Sequence, residues 1–347
     1  MIFHIIHSNI KGGMENVYLD YAKILQTKFR IICIVPKNFP YLSQLQAQNI
    51  QTETLNIHGH YDILSAIRLF FLIKKYSPKL LIAHNGRSFA TINLCKKFFN
   101  TDILKTMAIS HGGQIKRILS FDYIITIAKH LEKNIKDKKF NGQLSTIYNG
   151  IKTTPHKNTK KKHHDFTFGI LSRFSPEKNI LTAIKSFKKF IQESSSNAKL
   201  IIAGDGEDYK MLQDFIQNNQ LEHNISLIGW ITNKETFFNQ IDILLLPSTS
   251  ESFGLSILDA FNYHTVVIAA NIAGPAEIIQ HKYNGYLYNN PLSVNNLYNI
   301  MNYTFHNQNN FSNIIQNAYC DLEKKFSLDT TEKKLLSLIN NILKKHK

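Results

Sequence analysis

The sequence predicts an α/β protein made of two doubly wound parallel sheets, and three observations carry that expectation. Short, continuous apolar runs rich in β-branched residues alternate with longer helical patterns. The alternation occurs twice, and a polar, basic, aperiodic stretch separates the two series. The first series holds IFHIIH (2–7), RIICIVP (30–36), LLIAH (80–84), KTMAIS (105–110) and DYIITIA (122–128). The second holds FTFGILS (166–172), KLIIAGDG (199–206), ISLIGW (225–230), IDILLLPS (241–248) and TVVIAA (265–270). Runs without polar alternation fit strands covered on both faces, as crossover helices require. The expected organisation is a first domain over 1–150, a basic linker over 151–165, a second domain over 166–330, and a C-terminal helix over 331–347 packing back on the first domain. Ligands of such sheets bind beyond the carboxyl ends of the strands, so the chemistry is sought in the loops that follow them.

Bulk properties narrow the class. A chain of 347 residues with 43% hydrophobic and 19% charged residues is globular and long enough for two domains. No apolar run reaches the roughly 20 residues that cross a bilayer. The N-terminus MIFHIIHSNIKGG has no leading basic segment and reads as a buried first strand, not a signal peptide. Cys33, Cys95 and Cys320 are odd in number and far apart, which suits neither a disulfide framework nor zinc and points to a reducing, cytoplasmic setting. The net charge of +16 is unevenly placed. Residues 1–150 carry 20 Lys and Arg against 8 Asp and Glu, whereas residues 166–347 carry 16 of each. A basic first half is suited to an anionic partner such as a phospholipid surface or an acidic lipid-linked acceptor.

Two helices bear on that surface. DILSAIRLFFLIKKY (62–76) precedes Pro78 and a strand, and is expected to be buried against the sheet because it is apolar nearly all round. AKHLEKNIKDKKF (128–140), with Lys129, Lys133, Lys136, Lys138 and Lys139, is the better candidate of the two for contacting a surface, and a plain solvated basic face is an equal reading of it.

Three constellations follow strand ends. Gly12 and Gly13, after the first run, open a helical pattern near Glu15, where a backbone without Cβ atoms lets an anion approach helix N–H groups. This is not the GxGxxG of a dinucleotide site, which weighs against a dehydrogenase. In GILSRFSPEKNI (169–180), Arg173 and Lys178 lie on one loop; a guanidinium fork and an ammonium together suit a diphosphate, and Pro176 and Glu177 are expected to start the next helix. In PSTSESFGLSILDAF (247–261), Glu251 stands at a helix entrance opened by Phe253, Gly254 and Leu255, and Asp259 lies inside that helix. Carboxylates there can accept hydrogen bonds from sugar or ribose hydroxyls, and the entrance amides can hold an anion.

Together the blocks GG-x-E (12–15), R-x4-K (173–178) and E-x-FG-x4-D (251–259), supported by SHGG (110–113), AGDGE (203–207) and AGPAEII (273–279), resemble the retaining glycosyltransferases of family 4. The order and spacing match over essentially the whole chain. The resemblance implies the GT-B fold, two Rossmann-like domains facing across a cleft, and transfer of a sugar from a nucleotide-diphosphate donor with retention of anomeric configuration. It implies that Arg173 and Lys178 neutralise the donor diphosphate, that Gly12 and Gly13 let a helix terminus approach it, and that Glu251 faces the transferred sugar. Asp259 would bind ribose hydroxyls, the amides near Phe253, Gly254 and Leu255 would hold phosphate or sugar, and His111 would lie near the donor sugar. Two positions depart from the pattern: Asp259 stands where the family usually has Glu, and Gly274-Pro275 where it usually has paired glycines.

No DxD follows a strand, with Asp205, Glu207 and Asp208 coming closest, so neither a metal nor another cofactor is expected. No side chain stands out as a covalent nucleophile, and departure and attack on one face of the sugar is the expected course. The expected acceptor is a lipid-linked glycan or lipopolysaccharide-type molecule, met by a peripheral enzyme on the inner face of a bacterial plasma membrane. Competing readings are a nucleotide-sugar epimerase of the same fold, an inactive GT-B scaffold, and a nucleic-acid-binding protein. The last has no basic-aromatic RNA-binding motif to support it.

Overall fold

The computed structural model describes residues 1–99, 104–154, 165–194 and 196–344. The chain forms two compact units, residues 1–149 with 329–347, and residues 150–328. Most of the anticipated linker, residues 155–164, lies outside the described residues. Its first residues belong to the second unit: the Ile151 amide donates to the Phe326 carbonyl and the Thr154 amide to Asn262 Oδ1.

The first unit is a seven-stranded parallel sheet of β1 (Ile2–Ile5), β2 (Ile31–Val35), β3 (Gln51–Thr54), β4 (Leu80–Ala83), β5 (Lys105–Ser110), β6 (Tyr123–Thr126) and β7 (Gln143–Thr146), in the order β3-β2-β1-β4-β5-β6-β7. Its helices are α1 (Gly13–Gln26), α2 (Leu42–Ala47), α3 (Ile63–Tyr76), α4 (Gly86–Phe99), α5 (Ile115–Ile118) and α6 (Lys129–Lys136). The second unit is a six-stranded sheet of β8 (Thr167–Leu171), β9 (Lys199–Ala203), β10 (Ile225–Gly229), β11 (Ile243–Leu246), β12 (Val266–Ala270) and β13 (Tyr286–Tyr288), in the order β10-β9-β8-β11-β12-β13, again parallel throughout. Its helices are α7 (Ile180–Ser194), α8 (Tyr209–Asn218), α9 (Lys234–Phe238), α10 (Leu255–Asn262), α11 (Ala273–Ile278), α12 (Val294–His306) and α13 (Phe311–Lys325). The last helix, α14 (Leu328–Lys344), runs in the first unit from Asp329 onward. It buries Leu335, Leu336, Ile339 and Ile342, and Thr331 Oγ1 donates to the Tyr148 carbonyl.

All ten apolar runs become strands, and the central ones are fully buried. Three strands carry no such run. β3 (QTET), β7 (QLST) and β13 (YLY) are short edge strands, and the first two are polar and half exposed, so their sequences show neither a continuous apolar run nor clean alternation.

Sheet order locates the sites. In each unit the chain leaves a central strand in one direction and later returns to its other side: between β1 and β4 in the first unit, between β8 and β11 in the second. At such a reversal the two following loops diverge and open a crevice at the carboxyl edge.

One expectation about these helices is corrected. α3 is not buried all round: it fully buries Ser65, Ala66 and Leu69 but exposes Ile63 by 50%, Leu64 by 68% and Phe71 by 63%. One face packs inward and the other exposes these apolar side chains among Arg68, Lys74 and Lys75, because composition alone does not report how many faces a helix covers. α6 is shorter than the 128–140 pattern and amphipathic, burying Leu131 and Ile135 while Lys136 pairs with Glu132 at 2.5 Å.

Candidate functional site

In the second unit the reversal between β8 and β11 is built by two loops that are stitched together. After β8, Ser175 is extended and Pro176–Lys178 form a single 3-10 turn, ended by Asn179 at φ 54°. Pro176 and Glu177 therefore do not begin the following helix, as expected from the sequence; α7 starts separately at Ile180. Asn179 explains the break. Its left-handed backbone stops the turn, and its side-chain amide donates to the carbonyls of Pro247 (3.0 Å) and Pro291 (2.8 Å). The Thr249 amide in turn donates to the Glu177 carbonyl at 2.9 Å.

This stitching places Lys178 Nζ 2.6 Å from Glu251 Oε2, with both side chains more than four-fifths buried. Two expected site residues 73 positions apart thus meet in one ion pair. Arg173 behaves differently. Its guanidinium is half exposed and lies 3.5 Å from Glu177 on its own turn. Glu177 also accepts from Ser175 Oγ, and that hydrogen bond first, then the Arg173 and Lys178 charges, hold its carboxyl below the usual range.

The entrance to α10 depends on two glycines. Gly254 is the residue before the helix and adopts φ 105°, a conformation that disfavours any side chain. Gly274 packs against the same loop so closely that a Cβ there would stand 2.6 Å from the Glu251 carbonyl oxygen and 2.7 Å from the Phe253 nitrogen. Its own amide donates to the Glu251 carbonyl at 3.2 Å. AGPAEII therefore shapes the loop that carries Glu251. Phe253 is 2% exposed and packs edge to face on Phe326, so its side chain anchors the loop and only its backbone remains for a ligand.

Asp259, one turn inside α10, is 8% exposed and pairs at 2.7 Å with Lys234 of α9. Burial pushes the Asp259 carboxyl up, and the Lys234 charge opposes that push. The sequence reading omitted Lys234, whose only signal was a helix start after Asn233, which caps α9 by accepting from the Thr236 amide. Asn179 was also not anticipated, although it lies just beside the R-x4-K segment, and Glu177 was expected only as a helix start.

The first unit has its own cluster at the β1–β4 reversal. Gly12 is extended and α1 begins at Gly13. Glu15 curls back within the first turn, is 1% exposed, and accepts from Ser8 Oγ at 2.5 Å. His111 follows β5 on a loop where Gly112, Gly113 and Gln114 all have positive φ. His84 follows β4, and its Nδ1 is 3.2 Å from His111 Nε2; its Nε2 is 2.7 Å from Nε2 of His4 on β1. Burial lowers all three imidazoles, His4 to about 3, His111 to about 4 and His84 well below its ordinary value, with the neighbouring imidazoles adding to the effect at His84. His4 and His84 were not anticipated, because a histidine within or just after a strand carries no signal that it faces another.

Among the described residues no group of three or more His, Cys, Asp or Glu is arranged to hold a metal ion, and no helix is long and apolar enough to cross a membrane. Cys33 and Cys95 are buried and Cys320 partly buried, and none of the three is in a disulfide.

Comparison with known proteins converges on one family. Residues 151–321 match the family described as glycosyl transferases group 1. An uncharacterized glycosyltransferase of Methanocaldococcus jannaschii is 31% identical over 249 residues, covering 70% of this chain and 64% of its own length. A capsular polysaccharide biosynthesis glycosyltransferase of Staphylococcus aureus is 27% identical, covering 81% of this chain and 84% of its own. Among solved structures, HepE of Anabaena, determined in complex with UDP and glucose, superposes with a TM-score of 0.82 at 18% identity, over 98% of this chain and 99% of that one. The chain spans just under two thirds of the length of the archaeal relative. Two parallel Rossmann-like sheets make the chain a GT-B protein, and its second unit, matched over nearly its whole length, belongs to the group 1 glycosyl transferases.

Proposed function

We propose that the protein is a retaining, metal-independent glycosyltransferase that moves a sugar from a nucleoside-diphosphate sugar to a lipid-linked glycan or lipopolysaccharide-type acceptor, and that it docks peripherally on the cytoplasmic face of a membrane. The observation that carries the reading is the buried Lys178–Glu251 pair at the β8–β11 reversal. A cation and a carboxylate held together there offer one group to a phosphate and one to a hydroxyl. Arg173 adds a solvent-facing guanidinium on the same loop, and the amides at Gly254 and Leu255 open α10. Asp259 and Lys234 offer a second acceptor and donor for the ribose. The UDP bound by the Anabaena protein fits this division of labour, and the capsule-forming relative fits a glycan acceptor.

The chemistry follows from the charges. The bond between the anomeric carbon and the diphosphate oxygen breaks with its electron pair going to the departing nucleoside diphosphate. The cations Arg173 and Lys178 and the α10 amides stabilise that developing charge, which is the work a metal does elsewhere. The acceptor hydroxyl attacks the same face and passes its proton to the departing oxygen, so configuration is retained without a covalent enzyme intermediate. Glu251 stabilises the positive charge that builds on the sugar.

The membrane reading rests on α3 and its packing partner α4. Residues 63–99 contain seven Lys and Arg and no Asp or Glu. On α3, the exposed Leu64, Arg68, Phe71 and Lys75 fall on one stripe at helical spacing. Apolar side chains between cations suit the interface of an anionic bilayer.

Thermal denaturation against UDP-, GDP- and ADP-sugars tests the donor assignment. One donor is expected to raise the melting temperature, and Arg173→Ala and Lys178→Ala to abolish the rise. An equal response in the wild type and both variants would refute these residues as the diphosphate site. Turnover is expected to persist in excess EDTA.

A further inference from the structure

Three neighbouring strands of the first unit each deliver one imidazole to a continuous chain. His4 lies within β1, His84 one residue past β4 and His111 one residue past β5, and β4 sits between β1 and β5 in the sheet. The contacts run His4 Nε2 to His84 Nε2 at 2.7 Å, then His84 Nδ1 to His111 Nε2 at 3.2 Å. Aromatic packing fixes the inner rings. Tyr18 stacks on His4 at 4.0 Å and donates its hydroxyl to the His4 carbonyl, and Tyr18 and Tyr21 both meet His84 edge to face.

Direction follows from counting protons. Each neutral imidazole has one N–H and one bare nitrogen, so His84 donates on one side and accepts on the other. If His84 carries its proton on Nε2 and donates to His4, then His4 must be protonated at Nδ1. That atom is buried and has no hydrogen-bond partner, and an orphaned buried N–H is the costly case. In the opposite direction His4 donates from Nε2 to His84, and His84 donates from Nδ1 to His111 Nε2. The outermost ring then carries its proton on Nδ1.

We propose that His4 and His84 are positioning residues that lock His111 as the Nδ1–H tautomer, making it a hydrogen-bond donor to a hydroxyl of the bound substrate and not a base. The donation to substrate rests on the proposed transferase reading; the tautomer does not. The lowered proton affinities of the three rings keep them neutral near pH 7, as the chain requires.

Nitrogen-15 NMR of the histidine-labelled full chain reads the tautomer directly and without substrate. In the wild type, His111 is expected to show a protonated Nδ1 and a bare, pyridine-like Nε2; a protonated Nε2 overturns the proposal. In His84→Asp, which puts only an acceptor where the Nδ1–H stood, His111 is expected to shift to the Nε2–H form, whereas His84→Asn, which keeps an N–H there, retains Nδ1–H. An unchanged His111 spectrum in both variants also overturns it. With whichever donor sugar raises the melting temperature, His84→Asp is expected to lower kcat about tenfold, with substantial recovery in His84→Asn. A correct tautomer with unchanged kcat in His84→Asp would leave the chain's direction standing and remove His111 from substrate contact. If His84→Asp does not fold, His4→Glu tests the same chain from its inner end, since a carboxylate where Nε2 stood can only accept, which turns His84 round and returns His111 to the Nε2–H form.

Discussion

Lys178 and Glu251 illustrate how a pair, and not a residue, is the unit of this site. Each is mostly buried, and each offsets the other's desolvation at 2.6 Å. Lys178→Ala is therefore expected to lower the melting temperature without any ligand, by leaving a carboxylate unpaired, at a cost of about 1–3 kcal/mol. Adding Glu251→Gln to it is expected to recover most of that loss, since neighbours in one network are not additive. Glu251→Gln alone is expected to keep donor affinity, measured by calorimetry, while turnover falls about 100-fold, the usual scale for losing one charge stabiliser of a transition state. Comparable losses in affinity and turnover would instead make Glu251 a binding residue. The sequence named both members because each belongs to a recognisable block, R-x4-K and E-x-FG-x4-D. It did not show that they touch, nor that Asp259 is engaged by Lys234, because contacts across 73 and 25 positions are made by loop closure.

At the scale of elements, the loops after β8, β11 and β12 carry the site only because they fit one another. Gly274 is a tight point between the loops after β11 and β12, with backbone atoms of residues 251 and 253 inside the space a methyl would need. Gly274→Ala is expected to destabilise the second unit by about 1–3 kcal/mol, the range for overpacking against groups that cannot yield, and to weaken donor binding by displacing Glu251. Denaturant titration with and without donor separates the two effects. On α3, Leu64→Glu and Phe71→Glu are expected to leave stability unchanged within about 0.5 kcal/mol, because both side chains are exposed. The same variants are expected to abolish flotation with phosphatidylglycerol vesicles, and neutral vesicles are expected not to bind the wild type. Equal flotation of wild type and variants would remove α3 as the docking face. The periodicity of this helix was legible; which of its faces the sheet covers was not, since an apolar stripe reads alike whether it meets protein or lipid.

For the whole molecule, the buried histidines set a dependence on pH. In the folded chain His111 stays neutral down to about 4 and His4 down to about 3, and His84 is also held low. Unfolded, each takes up a proton near its ordinary value of about 6.5. Below that value the unfolded chain binds more protons, so this contribution to stability is fully present above about pH 6.5 and is lost as pH falls toward 4. Each imidazole can add a slope of about 1.4 kcal/mol per pH unit. Urea unfolding is expected to give a plateau near neutrality and a steep decline below it; a flat profile from about pH 7 to 5 would mean that the rings are already charged in the folded state.

By itself the sequence determined the two βα series, the loops that matter and the charge asymmetry between halves, because burial on both sheet faces, turn chemistry and lysine content are written locally. The polar edge strands β3 and β7 escaped it, since an edge needs no apolar pattern to be recruited by its neighbour. Only the tertiary structure decided which charges pair, which face of α3 stays bare, and that His4, His84 and His111 form one hydrogen-bonded chain. Those outcomes depend on strand order, and strand order brings together residues whose separation along the chain carries no trace of it.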